Sequence, residues 1–165
     1  MFMGKLLSRA ALKQNLNVTW LPAYGAEVRG GSSFCMVIIS DEEIASPFVN
    51  QPDTLIALNE PSFNKFKNKL KTNGFLILNS SLIENKPTLP KNNHLVFQPF
   101  SEIASSLGDI RIANVVSLGS YIAARKIISF KSAVESLKEI IPAEKKDLFL
   151  LNEKALKEGI KKVER

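Results

Sequence analysis

The segment Trp20–Gly31, WLPAYGAEVRGG, holds the residues of this chain best suited to chemistry. Glu27 and Arg29 stand two residues apart between two apolar runs. A guanidinium fits a carboxylate or phosphate by two-point contact, and Glu27 stands where it can orient that of Arg29. Gly25, Gly30 and Gly31 permit backbone shapes and close approaches that a side chain forbids. The same pair also suits a bland role, holding the loop or an interface together, and these residues alone do not separate the two.

The other reactive side chains point to less. Asn79, Ser80 and Ser81 come directly after an apolar run, where ligands bind in open α/β sheets, but the trio suits a turn better. His94 adjoins a Pro- and Asn-rich stretch with no nucleophile elbow nearby, so a Ser/His/Asp triad is not supported. Cys35 lies inside an apolar run and reads as an inert buried thiol. Asp41, Glu42 and Glu43 read as a solvated turn. One His and one Cys exclude a Cys/His zinc site or a four-cysteine iron–sulfur site within the chain. No GxGxxG or P-loop motif occurs, which argues against a free-standing nucleotide-binding enzyme.

The elements that must position these residues are those of one domain. The chain has 165 residues, 45% hydrophobic and 23% charged, ordinary values for a soluble globular fold. No apolar run reaches the length of a membrane span, and the expectation is a cytoplasmic protein without a membrane partner. The net charge of +6 is uneven. Residues 60–93 carry six basic and two acidic side chains, and residues 125–165 carry eleven and seven. Lys65, Lys67, Lys69 and Lys71 alternate with Phe66 and Leu70, and the tail lysines alternate with glutamates. Solvated helix faces explain both stretches, an anionic partner or ligand is the minor reading, and no nucleic acid is expected.

Periodicity predicts a helix over Met1–Leu16, although no capping residue precedes it. Strands come next over Asn17–Leu21, closed by Pro22, and over Ser33–Ser40, buried in type. Asp53–Leu58 reads as a central strand and Pro61–Leu70 as a helix with Phe63, Phe66 and Leu70 inward. Phe75–Asn79 and His94–Gln98 read as strands, Phe100–Leu107 and Ile112–Lys126 as helices. Ser129 or Ser132 caps the next helix, with Ser132 and Glu135 fitting a capping box. That helix stops at Pro142, and a last one covers 143–162. Strands alternating with helices give a three-layer, Rossmann-like α/β fold, an open sheet with helices on both faces. The single domain spans 1–165, and 127–165 forms a helical C-terminal extension packed either on its own domain or on a neighbouring subunit.

WLPAYGAEVRGG, then CMVIISDEEIASPFV and PDTLIALNEPSFNKF, resembles the gamma subunit of the 2-oxoacid:ferredoxin oxidoreductases. FLILNSSLI, IANVVSLGSYIAA and the closing helices agree in order, so the resemblance covers essentially the whole chain. The family loop of type Tyr-Gly-x-Glu-x-Arg-Gly-Gly maps onto Tyr24, Gly25, Glu27, Arg29, Gly30 and Gly31. This version is similar to the 2-oxoglutarate and branched-chain members more than to the pyruvate members. Family members open with a strand and a glycine-rich turn that lead into the first helix, whereas MFMGKLLSRAAL resembles that helix itself. The expectation is therefore that the first strand and the glycine-rich turn are missing from this chain.

The resemblance implies a non-redox subunit of a complex that converts a 2-oxoacid, 2-oxoglutarate for preference, and coenzyme A to an acyl-CoA and carbon dioxide, with electrons passed to ferredoxin. It implies alpha, beta and delta subunits as partners. Thiamine diphosphate, magnesium and four-iron, four-sulfur clusters would sit in those subunits, with no cofactor or metal on this chain and no catalytic residue of its own. Arg29 would meet an anionic group, coenzyme A included, Glu27 would position it, and Gly30 and Gly31 would offer amides. Tyr24 would pack on or hydrogen-bond the ligand or the alpha subunit. Two alternatives stand beside this: a stand-alone binding module for an anionic metabolite, and the small subunit of an indolepyruvate oxidoreductase.

Overall fold

Met3, Leu7, Ala10 and Ala11 recur at helical spacing, and helix α1 runs over Phe2–Leu12 in the computed structural model, which describes residues 1–24, 33–89 and 92–163. No side chain caps α1; its first turn closes by the Lys5 N–H donating to the Met1 carbonyl at 3.1 Å. The helix stops short of the expected Leu16 because Asn15 turns left-handed at φ 59°.

Strands β1 (Asn17–Tyr24) and β2 (Ser33–Ser40) form an antiparallel pair in register from Asn17↔Ser40 to Tyr24↔Ser33. Two expectations are corrected here. Pro22 does not close β1 but pairs within it opposite Cys35. A strand with one described neighbour tolerates a missing N–H on its open side. β2 is half-buried rather than buried, because the pair stands as a two-stranded sheet.

A second sheet is parallel. β3 (Thr54–Ala57), β4 (Phe75–Asn79) and β5 (His94–Gln98) lie in the order β3-β4-β5. β3 is thus an edge strand of its sheet, not the central one expected from its continuous apolar run. The central strand is β4, whose Leu76–Asn79 are all buried. An apolar run reports burial, and the helices here bury part of an edge strand as well.

Side-chain alternation along β4 defines the layers. Ile77 packs into the main core with Leu6 and Leu7 of α1, Phe100 of α3 (Phe100–Ser106) and Val115, Val116 and Leu118 of α4 (Ala113–Arg125). Leu76 and Leu78 face the opposite way, onto Phe63 of α2 (Glu60–Phe66) and Ile83. Helices therefore cover both faces of the parallel sheet, as a three-layer α/β fold requires. Asn59 caps α2 by accepting from the Ser62 N–H at 3.0 Å, and a 3-10 turn over Lys67–Lys69 extends the helix.

Helices α5 (Phe130–Ile140) and α6 (Lys146–Lys161) pack on their own domain, α5 against α1 and α6 against α4. Ser129 is the α5 cap, accepting from the Ser132 N–H at 3.0 Å. Ser132 is not a cap; its hydroxyl donates to Gln14 Oε1 at 3.0 Å, tying α5 to the end of α1. α6 crosses α4 at Gly119 and Gly159, where a methyl on either glycine would overlap backbone of the other helix. The Ser120 hydroxyl fixes the crossing by donating to the Gly159 carbonyl at 2.9 Å.

Candidate functional site

β1 and β2 are paired as far as Tyr24↔Ser33, so the strand register fixes the two chain ends between which residues 25–32 lie in the sequence. Gly25, Glu27, Arg29, Gly30 and Gly31 lie outside the described residues, and of Tyr24 only the backbone, at the end of β1, is described. The structure supplies the stem. Tyr24 faces Ser33, Ala23 faces Phe34 and Pro22 faces Cys35.

The stem is buttressed on one side by α1. Gly4 sits so close that a methyl there would overlap Cys35 Sγ and lie 3.1 Å from Trp20 Nε1. Cys35 is half-buried rather than buried, wedged against this glycine. On the other side the Phe34 ring meets Phe66 of α2 edge to face, 4.8 Å between centroids.

That aromatic contact carries positive charge. Lys65 Nζ lies 5.5 Å from the Phe34 centroid and 5.6 Å from that of Phe66, while Lys69 Nζ lies 5.9 Å from Phe66. Lys67 Nζ lies 5.6 Å from the Phe63 ring and donates to Asn64 Oδ1 at 2.8 Å. Cations held over ring faces are attracted by the ring quadrupole. Lys65, Lys67 and Lys69 are exposed, as the solvated helix face expected from the sequence requires. What the sequence of α2 does not show is the ring beneath Lys65: Phe34 comes from β2, thirty-one positions earlier.

Asn79, Ser80 and Ser81 sit together at the carboxyl end of β4, with Asn79 only 1% exposed. Helix α3 begins after Pro99, which offers no side-chain cap. Its first amides are met from β4 instead: Ser101 N–H donates to Asn79 Oδ1 at 3.2 Å and Glu102 N–H to Ser81 Oγ at 3.3 Å. Asn79 Nδ2 donates to the Leu58 carbonyl at 3.1 Å and to Ser101 Oγ at 2.8 Å. The Ser80 N–H donates to the Gln98 carbonyl at 2.9 Å, so all three residues knit β3, β4, β5 and α3 together.

The remaining candidates stand apart from one another. His94, at the first position of β5, stacks on Phe75 with centroids 4.4 Å apart. The Arg125 guanidinium lies 4.6 Å from the same Phe75 ring. Burial pushes the Tyr121 hydroxyl pKa up nearby, with Arg125 opposing and Asp53 reinforcing the shift. Asp41, Glu42 and Glu43 are exposed. Among the described residues no three His, Cys, Asp or Glu side chains group closely enough to hold a metal. A single cysteine also leaves this chain without the ligands for an iron–sulfur cluster. No described helix is long and apolar enough to cross a membrane.

Comparison with known proteins gives the architecture a context. The chain is 38% identical over 117 residues to ketoisovalerate oxidoreductase subunit VorA of Methanothermobacter thermautotrophicus, a match covering 71% of this chain and 24% of that protein. The chain thus spans about a quarter of the length of that relative. It is 33% identical over 142 residues to 2-oxoglutarate synthase subunit KorC of Methanocaldococcus jannaschii, covering 84% of this chain and 75% of that subunit. The fold superposes with TM-score 0.83 and 29% identity on the gamma subunit of a keto/oxoacid ferredoxin oxidoreductase from Geobacter sulfurreducens, over 98% of this chain and 89% of that one. It superposes with TM-score 0.90 and 20% identity on the 2-oxoglutarate:ferredoxin oxidoreductase of Magnetococcus marinus, over 99% of this chain and 28% of that one, a likeness of fold. The sequence model described as pyruvate ferredoxin/flavodoxin oxidoreductase matches residues 1–162, and the chain belongs to that family.

Proposed function

We propose that this chain is the gamma-type, non-redox subunit of a 2-oxoacid:ferredoxin oxidoreductase. The complex would take a 2-oxoacid and coenzyme A to an acyl-CoA and carbon dioxide, with two electrons passed to ferredoxin. The observation that carries this reading is the KorC match, which runs along 84% of this chain and three-quarters of that subunit. The inventory of side chains supports it: one Cys is too few to hold a four-cysteine iron–sulfur cluster on this chain. Thiamine diphosphate, magnesium and iron–sulfur clusters are therefore assigned to the alpha, beta and delta partners.

Within that complex the chain's own work is binding and positioning. The β1–β2 stem, braced by α1 and α2, ends at Tyr24 and Ser33, and residues 25–32 between them are assigned the contact with a partner or ligand. Arg29 is assigned an anionic group of coenzyme A, Glu27 the orientation of Arg29, and Gly30 and Gly31 a close backbone approach. Gly25 frees the turn beside Tyr24, which is assigned packing against the ligand or the alpha subunit. Asn79, Ser80 and Ser81 rank behind the loop, because their hydrogen bonds are occupied by α3 and the neighbouring strands.

The substrate assigned is 2-oxoglutarate. A branched-chain 2-oxoacid is the second reading, supported by the VorA match at 38% identity. Steady-state kinetics of the assembled complex on both oxoacids decides between them. In the same assay Arg29→Ala raises the KM for coenzyme A while the complex still assembles. Unchanged kinetics in an intact complex would remove Arg29 from ligand binding, and failed assembly would make it an interface residue.

A further inference from the structure

The side chains of β5 are engaged in the two cores, and part of its backbone is not engaged at all. Leu95 and Phe97 pack with the Ile83 cluster on one face of the sheet, and Val96 packs on the main core on the other. β5 ends the order β3-β4-β5, so among the described residues only β4 pairs with it. In the register Phe75↔His94 the His94 N–H donates to the Gly74 carbonyl at 2.9 Å, and at the far end the Ser80 N–H donates to the Gln98 carbonyl at 2.9 Å. In a parallel ladder alternate residues bond to opposite sides, so His94, Val96 and Gln98 face β4. The N–H and C=O groups of Leu95 and Phe97 therefore point outward along an open edge.

A groove of about 310 Å³ lies against β5. Lys86, from the connection between β4 and β5, and Lys162 and Val163, from the end of α6, line it together with residues 95–98. Gln98 Nε2 donates to the Lys162 carbonyl at 3.3 Å, which holds the end of α6 beside the end of the strand. Both lysines are exposed. Among the described residues neither forms an ion pair, and no carboxylate lines the groove. A half-buried strand edge with free backbone groups and unpaired cations is unsatisfied in both its hydrogen bonding and its charge.

We propose that the open edge of β5 takes an extended, acid-bearing segment of a partner polypeptide as an added strand, hydrogen-bonded to Leu95 and Phe97 and flanked by Lys86 and Lys162. Strand addition supplies affinity through the main chain, and the flanking charges select the partner. The lysines decide against a second copy of this chain. Pairing β5 with β5 of another copy would crowd like charges at one edge, the device by which edge lysines prevent self-pairing. The inference rests on the subunit reading only for the source of the segment, a partner subunit; the edge itself stands on the geometry of this chain.

The test uses the full chain, labelled with nitrogen-15, and a blocked peptide of sequence Glu-Val-Thr-Val-Thr-Val-Glu. Two companions serve as comparisons: the same peptide with Lys in place of Glu, and the acidic peptide N-methylated at every residue, which keeps its charge but has no N–H to donate. The acidic peptide is expected to bind and to slow amide exchange at Leu95 and Phe97 about tenfold, with the basic and N-methylated peptides inert. K86Q/K162Q weakens the acidic peptide about tenfold, the sum expected of two exposed ion pairs, and K131Q on α5 leaves it unchanged. No binding of the acidic peptide, equal binding of either companion, or an equal loss with K131Q would overturn the proposal. So would slowing at Leu95 and Phe97 that rises with protein concentration in the absence of peptide, which would assign the edge to a second copy. The peptide series runs on the unaltered chain, so a misfolded variant does not shelter the proposal. Failure of the peptide would remove the edge and leave the subunit reading standing; recovery of the chain without partner subunits from its native cells would sink that reading and leave the peptide result intact.

Discussion

Asn79 holds Ser101 by two hydrogen bonds: its Nδ2 donates to the Ser101 hydroxyl at 2.8 Å, and its Oδ1 accepts from the Ser101 N–H at 3.2 Å. The helix α3 is thereby capped by a strand residue twenty-two positions earlier. Asn79→Ala would strip a buried amide of its acceptor and leave the Leu58 carbonyl without this donor. The expected cost is about 2–4 kcal/mol, from several lost hydrogen bonds and the buried partners left unsatisfied. Urea unfolding of the variant measures it, and a loss under 0.5 kcal/mol, roughly the noise of a surface substitution, would contradict the capping role.

A second prediction concerns the crossing of α4 and α6. Gly159→Ala would place a methyl into the Val116 carbonyl, and Gly119→Ala would place one into that of Leu156. In an exposed helix interior the same change gains about 1 kcal/mol. Here the obstacle is backbone, which cannot rotate away, and the expected outcome is destabilisation of about 3 kcal/mol for either variant. Thermal unfolding reports the sign directly, and any stabilisation would contradict the crossing as described.

Gly4 and Cys35 should be energetically coupled. Gly4→Ala overlaps Cys35 Sγ, and Cys35→Ala removes the obstacle. The double variant is expected to be more stable than the sum of the two single effects predicts, by about 1 kcal/mol or more. A double-mutant cycle in urea tests this. Additive effects would mean that α1 does not brace the hairpin stem at this point.

Acid should loosen the seam between α1 and α5. Glu139 of α5 is hydrogen-bonded and ion-paired to Lys13, with Arg9 3.5 Å away. The Lys13 hydrogen bond comes first in holding the Glu139 carboxyl below its usual range, and burial opposes it. A carboxyl depressed on folding favours the folded state above its unfolded pKa, near 4.3 for glutamate. That stability fades as pH falls through the lower folded value. Glu139→Gln is therefore expected to be less stable than the parent at neutral pH and to converge with it in acid. Unfolding curves from pH 7 to pH 3 check the convergence; a constant gap would contradict it.

Much of this fold was legible in the sequence because its elements are marked by local signals. Phe75–Asn79 and His94–Gln98 form strands at the expected bounds, since short apolar runs closed by turn residues leave little choice. The positions that misled are those set by partners far along the chain. Pro22 looked like a stop until β2 left its other side open, and β3 looked central until its neighbours were known. Ser132 matched a capping box, but Ser129 takes the cap and Gln14 of the distant α1 end draws Ser132 inward. The family was legible in the loop WLPAYGAEVRGG, because residue types at fixed spacing survive without a structure. The lysine pair on Phe34 and Phe66 was not, because nothing in the α2 sequence shows which ring β2 brings beneath it.

The central claim, a gamma-type subunit of a 2-oxoacid:ferredoxin oxidoreductase, meets its most direct test in affinity purification of this chain from its native cells, with assay of the proteins and cofactors that accompany it. The account predicts larger partner subunits, thiamine diphosphate, iron and sulfide, and dye reduction that requires both a 2-oxoacid and coenzyme A. Recovery of the chain alone, cofactor-free and binding an anionic metabolite unaided, would contradict it.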